Sequence, residues 1–238
     1  MRYAEIINEI ELGGGVDSNV LKPFTNLEFK QLEMFKEYPP LIDETQGAYK
    51  PLGRIGKYVF AQQVKDIPET GFNYMTKGQK VFLLFDESGP CVGLFALCQP
   101  TSVDGSGYYP ARGIHTVVNG TGYRVSTVKI DEAHTGQMLA VQCYMFLLTH
   151  VCDWLMADTL QTRGGAAIWR KMLNSRKFAV LVYDDKTGIA RRRWPGKDFK
   201  QVYNTNFLHP IVTLPSKADH ILSDEWGNEW DGEEDEEE

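Results

Sequence analysis

The chain has 238 residues, of which 42% are hydrophobic and 24% are charged. This length and composition exclude a collagenous or wholly disordered chain and predict one or two domains with a hydrophobic core of ordinary size. The formal net charge of −7 is unevenly distributed, because residues 224–238 hold ten Asp and Glu and no Lys or Arg. The rest of the chain has 25 basic against 22 acidic side chains, so a slightly basic body precedes a strongly acidic tail.

The pattern of apolar residues and cysteines indicates a reducing, cytoplasmic setting. No apolar run approaches the ~20 residues that cross a bilayer, and the first twenty residues lack the basic start and apolar centre of a signal peptide. The four cysteines are too few and too scattered for a disulfide scaffold, and no metal-binding spacing of Cys or His occurs. We therefore expect core thiols, no metal and no membrane contact. The cysteines are Cys91, Cys98, Cys143 and Cys152.

Residues 1–77 have a mixed pattern, and we interpret them as an N-terminal extension of unclear fold. A short helix is predicted over residues 28–38, ended by Pro39 and Pro40. The rest of this region is rich in Gly and Pro and indicates loops. The run at residues 13–15 lacks the Lys-Ser/Thr of a phosphate-binding loop and is interpreted as a turn.

From Lys80 the secondary-structure signals are stronger. Two apolar runs, 81–85 and 91–97, flank the turn residues 86–90 and predict an antiparallel hairpin. Residues 123–130 alternate between two faces and are rich in β-branched side chains, which predicts a third strand.

The next elements alternate between helix and strand. Apolar residues recur at helical spacing from 137 to 155 and predict a helix buried on most sides. A short strand is expected to begin at Leu155, a second helix covers 166–174 after Gly164 and Gly165, and residues 178–183 form a strand before a hairpin turn at 184–188. The order β-β-β-α-β-α-β predicts an α+β or α/β fold.

This order, together with the residues that link the third strand to the first helix, resembles the GNAT acyltransferase superfamily. Members of that family carry Arg/Gln-x-x-Gly-x-Gly/Ala between strand and helix, and Gly136 stands at the first Gly within the run 133–144, Ala-His-Thr-Gly-Gln-Met-Leu-Ala-Val-Gln-Cys-Tyr. Residues 158–162 and 167–173 resemble the family's second helix. The resemblance covers roughly residues 78–190. Within the family, the sequence resembles the acyltransferase-like proteins of bacteriophages.

The resemblance implies a mixed, mostly antiparallel central sheet flanked by helices, with a GNAT-like core at 78–205. It also implies transfer of an acetyl group from acetyl-CoA to an amine on a protein or a small molecule. The pyrophosphate would dock on the backbone N–H groups at a helix N-terminus, while Val128 and Ile130 would flank the pantetheine arm. The residues implied for coenzyme binding are Val128, Ile130, Gly136, Gln137, Met138, Leu139 and Ala140.

Three residues depart from the family pattern, so the resemblance does not identify which residues act as catalytic acid and base. Ala133 and Met138 replace the expected Arg/Gln and the second Gly/Ala, and Trp169 stands where many members place a Tyr that acts as general acid. Tyr144 is our catalytic candidate for that acid, and Tyr183 is a second possibility. The candidates for a general base, which the sequence does not rank, are Glu87, Asp131, Glu132, His115 and His134.

These departures favour an alternative in which the protein is a non-catalytic GNAT-like binding protein. Such a protein of a phage would act in the host cytoplasm on a host or virion partner. A thermal shift with acetyl-CoA distinguishes the alternatives.

Charge is concentrated in two segments near the end of the chain. Residues 163–200 hold eleven Lys and Arg against three Asp, and the run Arg191-Arg192-Arg193-Trp194 suits phosphates and stacked bases. A solvated basic face is favoured over nucleic-acid binding, because no nucleic-acid motif accompanies the cluster. Residues 206–238 are interpreted as a C-terminal segment that ends in a disordered acidic tail, and this tail is hypothesised to cover the basic stretch or a basic partner.

Overall fold

The computed structural model describes residues 47–65, 78–102, 111–135, 138–158, 163–193 and 208–222. Within them, nine strands form one sheet in the order β1-β2-β3-β4-β5-β6-β9-β7-β8. The strands are β1 (Tyr49–Ile55), β2 (Tyr58–Gln63), β3 (Lys80–Phe85), β4 (Cys91–Cys98), β5 (Gly122–Ile130), β6 (Trp154–Met156), β7 (Ala179–Asp184), β8 (Ile189–Arg193) and β9 (Leu208–Thr213). The helices are α1 (Leu139–His150), α2 (Arg163–Leu173) and the four-residue α3 (Ala218–Ile221).

The sheet is mixed and mostly antiparallel. Strands β1 to β5 form an antiparallel meander, and β6, β9, β7 and β8 are also antiparallel to their neighbours. The pair β5 and β6 is parallel, and α1 makes the crossover that a parallel connection requires. The predicted α+β class and the element order from Lys80 to β7 are confirmed.

The structure corrects two predictions, the length of the first helix and the loops expected before residue 65. The helix predicted over 137–155 ends at His150, where the N–H groups of Val151 and Cys152 both donate to the Leu147 carbonyl. The apolar pattern continues beyond this point because β6 is buried on both faces. Strands β1 and β2 lie where the sequence indicated loops, and they extend the sheet by two strands.

Two predictions in the first half of the extension lie outside the described residues. These are the helix at 28–38 and the turn at 13–15.

Apolar side chains bury both faces of the sheet. On one face, α1 and α2 cover aromatic residues such as Phe60, Phe82 and Phe95, and the Phe146 ring lies 5.3 Å from the Phe60 ring. On the other face, β6 to β9 pack with the turn at 114–118 and with α3. Burial of this apolar area supplies the main stabilisation of the fold.

The two edge strands carry features that oppose pairing with another chain. β1 contains Pro51 and a register shift between Pro51 and Gly53, and Pro cannot donate to a ladder. β8 carries three successive arginines at its end, and charge discourages edge-to-edge pairing. In the part of the chain that the structure describes, no helix has the length and apolar character to cross a membrane.

Candidate functional site

The parallel pairing of β5 with β6 is short. β6 pairs with Gly122, Tyr123 and Arg124, and no further pairing of β5 with β6 occurs among the described residues. Immediately beyond, the ladder of β5 with β4 shifts register between Ala96 and Leu97, and such a bulge bends a strand and increases its twist. Residues 126–130 are half-buried, whereas 122–125 are buried. We refer to this edge of β5, residues 126–130 beyond the last pair with β6, as the β5–β6 cleft.

Arg124 lies at the last pair of the two strands. Its side chain is 2% exposed, and its Nε lies 3.4 Å from Cys98 Sγ and 3.8 Å from Asp158 Oδ1. Asp158 follows β6, so this buried ion pair connects the two strands where their pairing ends. A buried guanidinium is tolerated because a carboxylate lies beside it.

The N-terminus of α1 follows β5 at the open end of the cleft. Met138 is the N-cap residue and has left-handed backbone angles, φ 54° and ψ 27°, with no hydrogen bond from a capping side chain. A side chain in this region costs roughly 1–2 kcal/mol, and glycine is the residue that adopts it without strain. The helix therefore begins with first-turn N–H groups that the Met138 side chain does not cap, and with a positive dipole end.

The structure locates five of the seven coenzyme-binding residues predicted from the resemblance. Val128 and Ile130 lie in the half-buried part of β5 beside the cleft. Leu139 and Ala140 are buried in the first turn of α1, whereas Met138 is 51% exposed. Gly136 and Gln137 lie outside the described residues.

A hydrogen-bonded pair, Tyr58 and His134, lies between the start of β2 and the segment that joins β5 to α1. The Tyr58 hydroxyl oxygen is 3.0 Å from His134 Nδ1, and the two rings meet edge to face at 5.6 Å. Tyr58 is 2% exposed, while His134 is half-buried. This contact fixes the orientation of the imidazole and leaves Nε2 as the second ring nitrogen.

A second polar group beside Tyr58 holds a carboxylate in its ionised form. Lys57 Nζ lies 2.8 Å from Asp86 Oδ2, and the Ser88 hydroxyl and N–H both donate to Asp86 Oδ1, at 2.7 and 3.1 Å. The Lys57 contact, followed by the Ser88 bonds, lowers the pKa of Asp86 far below its ordinary value. Asp86 is thus an anion and not a proton acceptor at neutral pH.

The other candidate bases occupy different environments. Glu87, Glu132 and His115 are exposed, and His115 lies near Trp154, at the end of β6 remote from the start of α1. Asp131 Oδ1 accepts the N–H of Ala133 and caps the short turn after β5. Among these candidates, His134 is the one with a hydrogen bond to a buried tyrosine.

The two tyrosines considered for an acid role are buried, as is Trp169, which stands at the position of the family's acid. The Tyr144 ring lies 5.9 Å from Phe95 and 5.9 Å from Trp169, between the sheet and α2. Tyr183 lies on the opposite face of the sheet, stacked on His209 at 6.3 Å, and its pKa is raised mainly by burial. The acid role predicted for Tyr144 stays a prediction, and the aromatic contacts of Trp169 are those of a core residue.

The thiols are core groups, as predicted. All four cysteines are buried and none is in a disulfide. Burial raises the pKa of Cys91 to about 12 and that of Cys152 to about 12, so neither supplies a thiolate at neutral pH. Within the described ranges, no group of three or more His, Cys, Asp or Glu is arranged to hold a metal ion.

Comparison of the chain with protein-family models, with curated proteins and with solved structures finds no match.

Sequence reasoning missed Tyr58, Lys57 and Asp86 as neighbours of the site. Tyr58 lies in the segment interpreted as loops, although the run Tyr58-Val59-Phe60-Ala61 has strand-forming composition. That run is the signal that would have placed a strand, and hence a tyrosine, at this end of the sheet.

Proposed function

We propose that this protein is a GNAT-like acyltransferase that moves an acetyl group from acetyl-CoA to an amine. The observation that carries the proposal is the end of the β5–β6 pairing at Arg124, on the side of the sheet where α1 begins without a cap from the Met138 side chain. Further support comes from the mixed, mostly antiparallel sheet, in which the parallel pair is joined by α1. These are features that the sequence resemblance implies for the acyltransferase core.

The cleft suits an extended ligand arm with amide groups. Among the described residues, the edge of β5 that faces the cleft has no ladder partner beyond Arg124, and unpaired strand edges accept extended chains. A pyrophosphate at the end of such an arm would bind the first-turn N–H groups of α1 and the positive end of its dipole. When bound, acetyl-CoA supplies the acetyl group as a thioester.

His134 is the base that this geometry favours. An amine acceptor has to lose a proton, and an imidazole ring nitrogen is a common acceptor of such a proton in enzymes. In the tautomer in which Nδ1–H donates to the Tyr58 oxygen, Nε2 carries the lone pair that a base needs. Tyr58 then acts as a positioning residue, since it holds the ring in one orientation.

The second candidate function is binding of a partner without catalysis. It is favoured by Met138, whose exposed side chain stands at the start of α1, and by Trp169, which is buried against Tyr144 where the family commonly supplies an acid. A protein of this kind would keep the cleft and lack turnover.

Coenzyme binding is tested by thermal unfolding in the presence of acetyl-CoA. Ligand at 100 times its dissociation constant should add about 2.7 kcal/mol to the free energy of unfolding. Met138→Glu should abolish this shift, because it places a negative charge beside the pyrophosphate, whereas the isosteric Met138→Gln should retain it. The absence of any shift with the unmodified chain at millimolar acetyl-CoA would contradict the proposal.

Turnover is tested separately by release of free coenzyme A thiol with a panel of amines. His134→Gln should lower the rate by about 10²-fold or more at pH 7, while His115→Gln, which changes a remote exposed histidine, should leave it unchanged. Binding of acetyl-CoA without release of thiol from any amine supports the second candidate function.

A further inference from the structure

A basic surface surrounds the end of edge strand β8. Arg191 and Arg192 are half-buried on β8, opposite Val182 and Leu181 of β7, and Arg193 follows them opposite Val180. The turn before β7 adds Arg176 and Lys177 close to the same end of the two strands. We call the residues Arg176, Lys177, Arg191 and Arg192 the arginine surface.

The chain leads back to this surface shortly before its acidic tail begins. Asp219 on α3 is ion-paired with Arg192, with its Oδ1 2.5 Å from the guanidinium. Further along, Ile221 and Leu222 are buried, the Ile221 carbonyl accepts the N–H of Asn119, and Leu222 forms a bridge with Val118. Residue 222 is thus a fixed point beside β8, and the run of acidic residues starts at Asp224.

We propose that the acidic tail, residues 224–238, docks on the arginine surface of its own chain. The tail holds ten carboxylates and the arginine surface four basic side chains, and the Asp219–Arg192 pair is a carboxylate–guanidinium contact already made at this edge of the sheet. Trp226 and Trp230 add aromatic faces on which guanidinium groups stack. This inference is independent of the acyltransferase proposal, since it uses neither the cleft nor α1.

The tether makes the docking favourable even if each contact is weak. Fifteen residues span up to roughly 50 Å when extended, so the tail reaches any part of the arginine surface from residue 222. A tethered segment experiences an effective concentration in the millimolar range. The contacts are ionic and partly exposed, so they weaken as salt screens them over a Debye length of about 10 Å at 0.1 M.

The test uses the full chain with a spin label at Glu236→Cys. The four native thiols are buried, so the new surface cysteine is the one that reacts with the label. At 20 mM salt we expect paramagnetic broadening of the backbone amides of residues 176–178 and 191–193, and loss of that broadening in 0.5 M NaCl. Lys50 and Arg54 on the opposite edge strand are the reference, and their amides should stay sharp.

Two charge variants of the labelled chain decide whether the arginines are responsible. Arg191→Gln combined with Arg192→Gln should remove the broadening, whereas Lys50→Gln combined with Arg54→Gln should preserve it. Broadening that is absent at low salt, equal at both sheet edges, or unaffected by the β8 variant would overturn the proposal. If the β8 variant loses its dispersed spectrum, the same decision is made with the tail variant Glu233→Gln, Glu234→Gln and Asp235→Asn, which should reduce the broadening.

Discussion

The two ends of the β5–β6 junction are built in opposite ways. At the closed end, β5 and β6 pair directly, and the Trp154 ring lies against Gly122 so closely that a Cβ there would be 1.9 Å from the ring. At the open end, β5 continues beyond its last pair with β6, and α1 starts at the exposed Met138, whose side chain provides no cap. The groups at the closed end stabilise the fold. The first-turn N–H groups of α1 at the open end are the ones that we propose bind a ligand.

The same contrast applies to the two ends of α1. At its C-terminus, Lys217 Nζ donates to the carbonyls of Leu148 and Cys152, at 2.8 and 3.1 Å, and lies 3.1 Å from Asp153 Oδ1. Asp153 Oδ2 in turn accepts the N–H of Thr121, which precedes β5. One ammonium group thus satisfies the last carbonyls, complements the helix dipole and connects α1 to β5. At the N-terminus, the side chain of the N-cap residue Met138 makes no equivalent bond.

The largest effect is expected at the closed end, from Gly122→Ala. The new Cβ would overlap the Trp154 ring, a buried group held by a hydrogen bond from Nε1 to the Asn119 carbonyl. We expect a loss of about 3 kcal/mol or more in the free energy of unfolding, measured by urea denaturation. Gly188→Ala is the matched control, because its Cβ meets open space and carries only the cost of a φ of +69°, roughly 1 kcal/mol. Equal losses in the two variants would contradict the close Gly122–Trp154 contact.

The next effect is expected from Lys217→Met, which keeps the aliphatic stem and removes the ammonium. The Leu148 carbonyl of α1, the Cys152 carbonyl just beyond it and the Asp153 carboxylate would lose this donor, which should cost about 2 kcal/mol. Lys171→Met in the last turn of α2 is the control, since Lys171 is exposed, and it should change stability by no more than about 0.5 kcal/mol. A comparable loss in the control would show that Lys217 has no special role.

The Lys217 contribution also has a predictable pH dependence. Burial by itself raises the pKa of Asp153, but the bond from the Thr121 N–H and the contact with Lys217 outweigh it and lower the pKa below 3.8. A depressed carboxyl pKa stabilises the fold above the unfolded-state value, and that stabilisation is lost as the pH falls through the folded-state value. The stability difference between the native chain and Lys217→Met should therefore be constant from pH 7 to 5 and shrink below about pH 4.

The smallest effect on stability is expected at the open end, from Met138→Gly. Relief of the left-handed strain and the higher unfolded-state entropy of glycine nearly cancel, so stability should change by less than about 1 kcal/mol. Removal of the side chain should raise acetyl-CoA affinity about fivefold, the equivalent of about 1 kcal/mol. Ala111 has the same φ of 54° but lies on the opposite face of the sheet, so Ala111→Gly should leave the affinity unchanged. If acetyl-CoA affinity rises in both variants, or in neither, Met138 does not lie at the coenzyme site.

The sequence was most informative where structure is local. The β3–β4 hairpin, β5, α2 and β7 follow from apolar runs of strand or helix period bounded by turn residues, and the order of elements after Lys80 follows with them. The pattern was misleading at residues 151–155, because a strand buried on both faces and a buried helix are equally apolar. It was uninformative at β1, where Pro51 and Gly53 weaken the strand signal in a segment that pairs by an irregular register.

The candidate site was predictable in part. The start of α1 and the end of β5 were identified from neighbouring residues, since a short connection brings the two together. The ranking of His134 above the other candidate bases could not be predicted from the sequence, because its hydrogen-bond partner Tyr58 is 76 positions away.

By itself, then, the sequence determined the charge division, the burial of the thiols and the succession of elements from Lys80, since composition and short-range periodicity specify these. Only the tertiary structure decided that β5 and β6 pair at three positions, that Lys217 caps α1, and that Asp219 pairs with Arg192. These features depend on contacts between residues far apart in the chain, and such contacts are set by how the whole core packs.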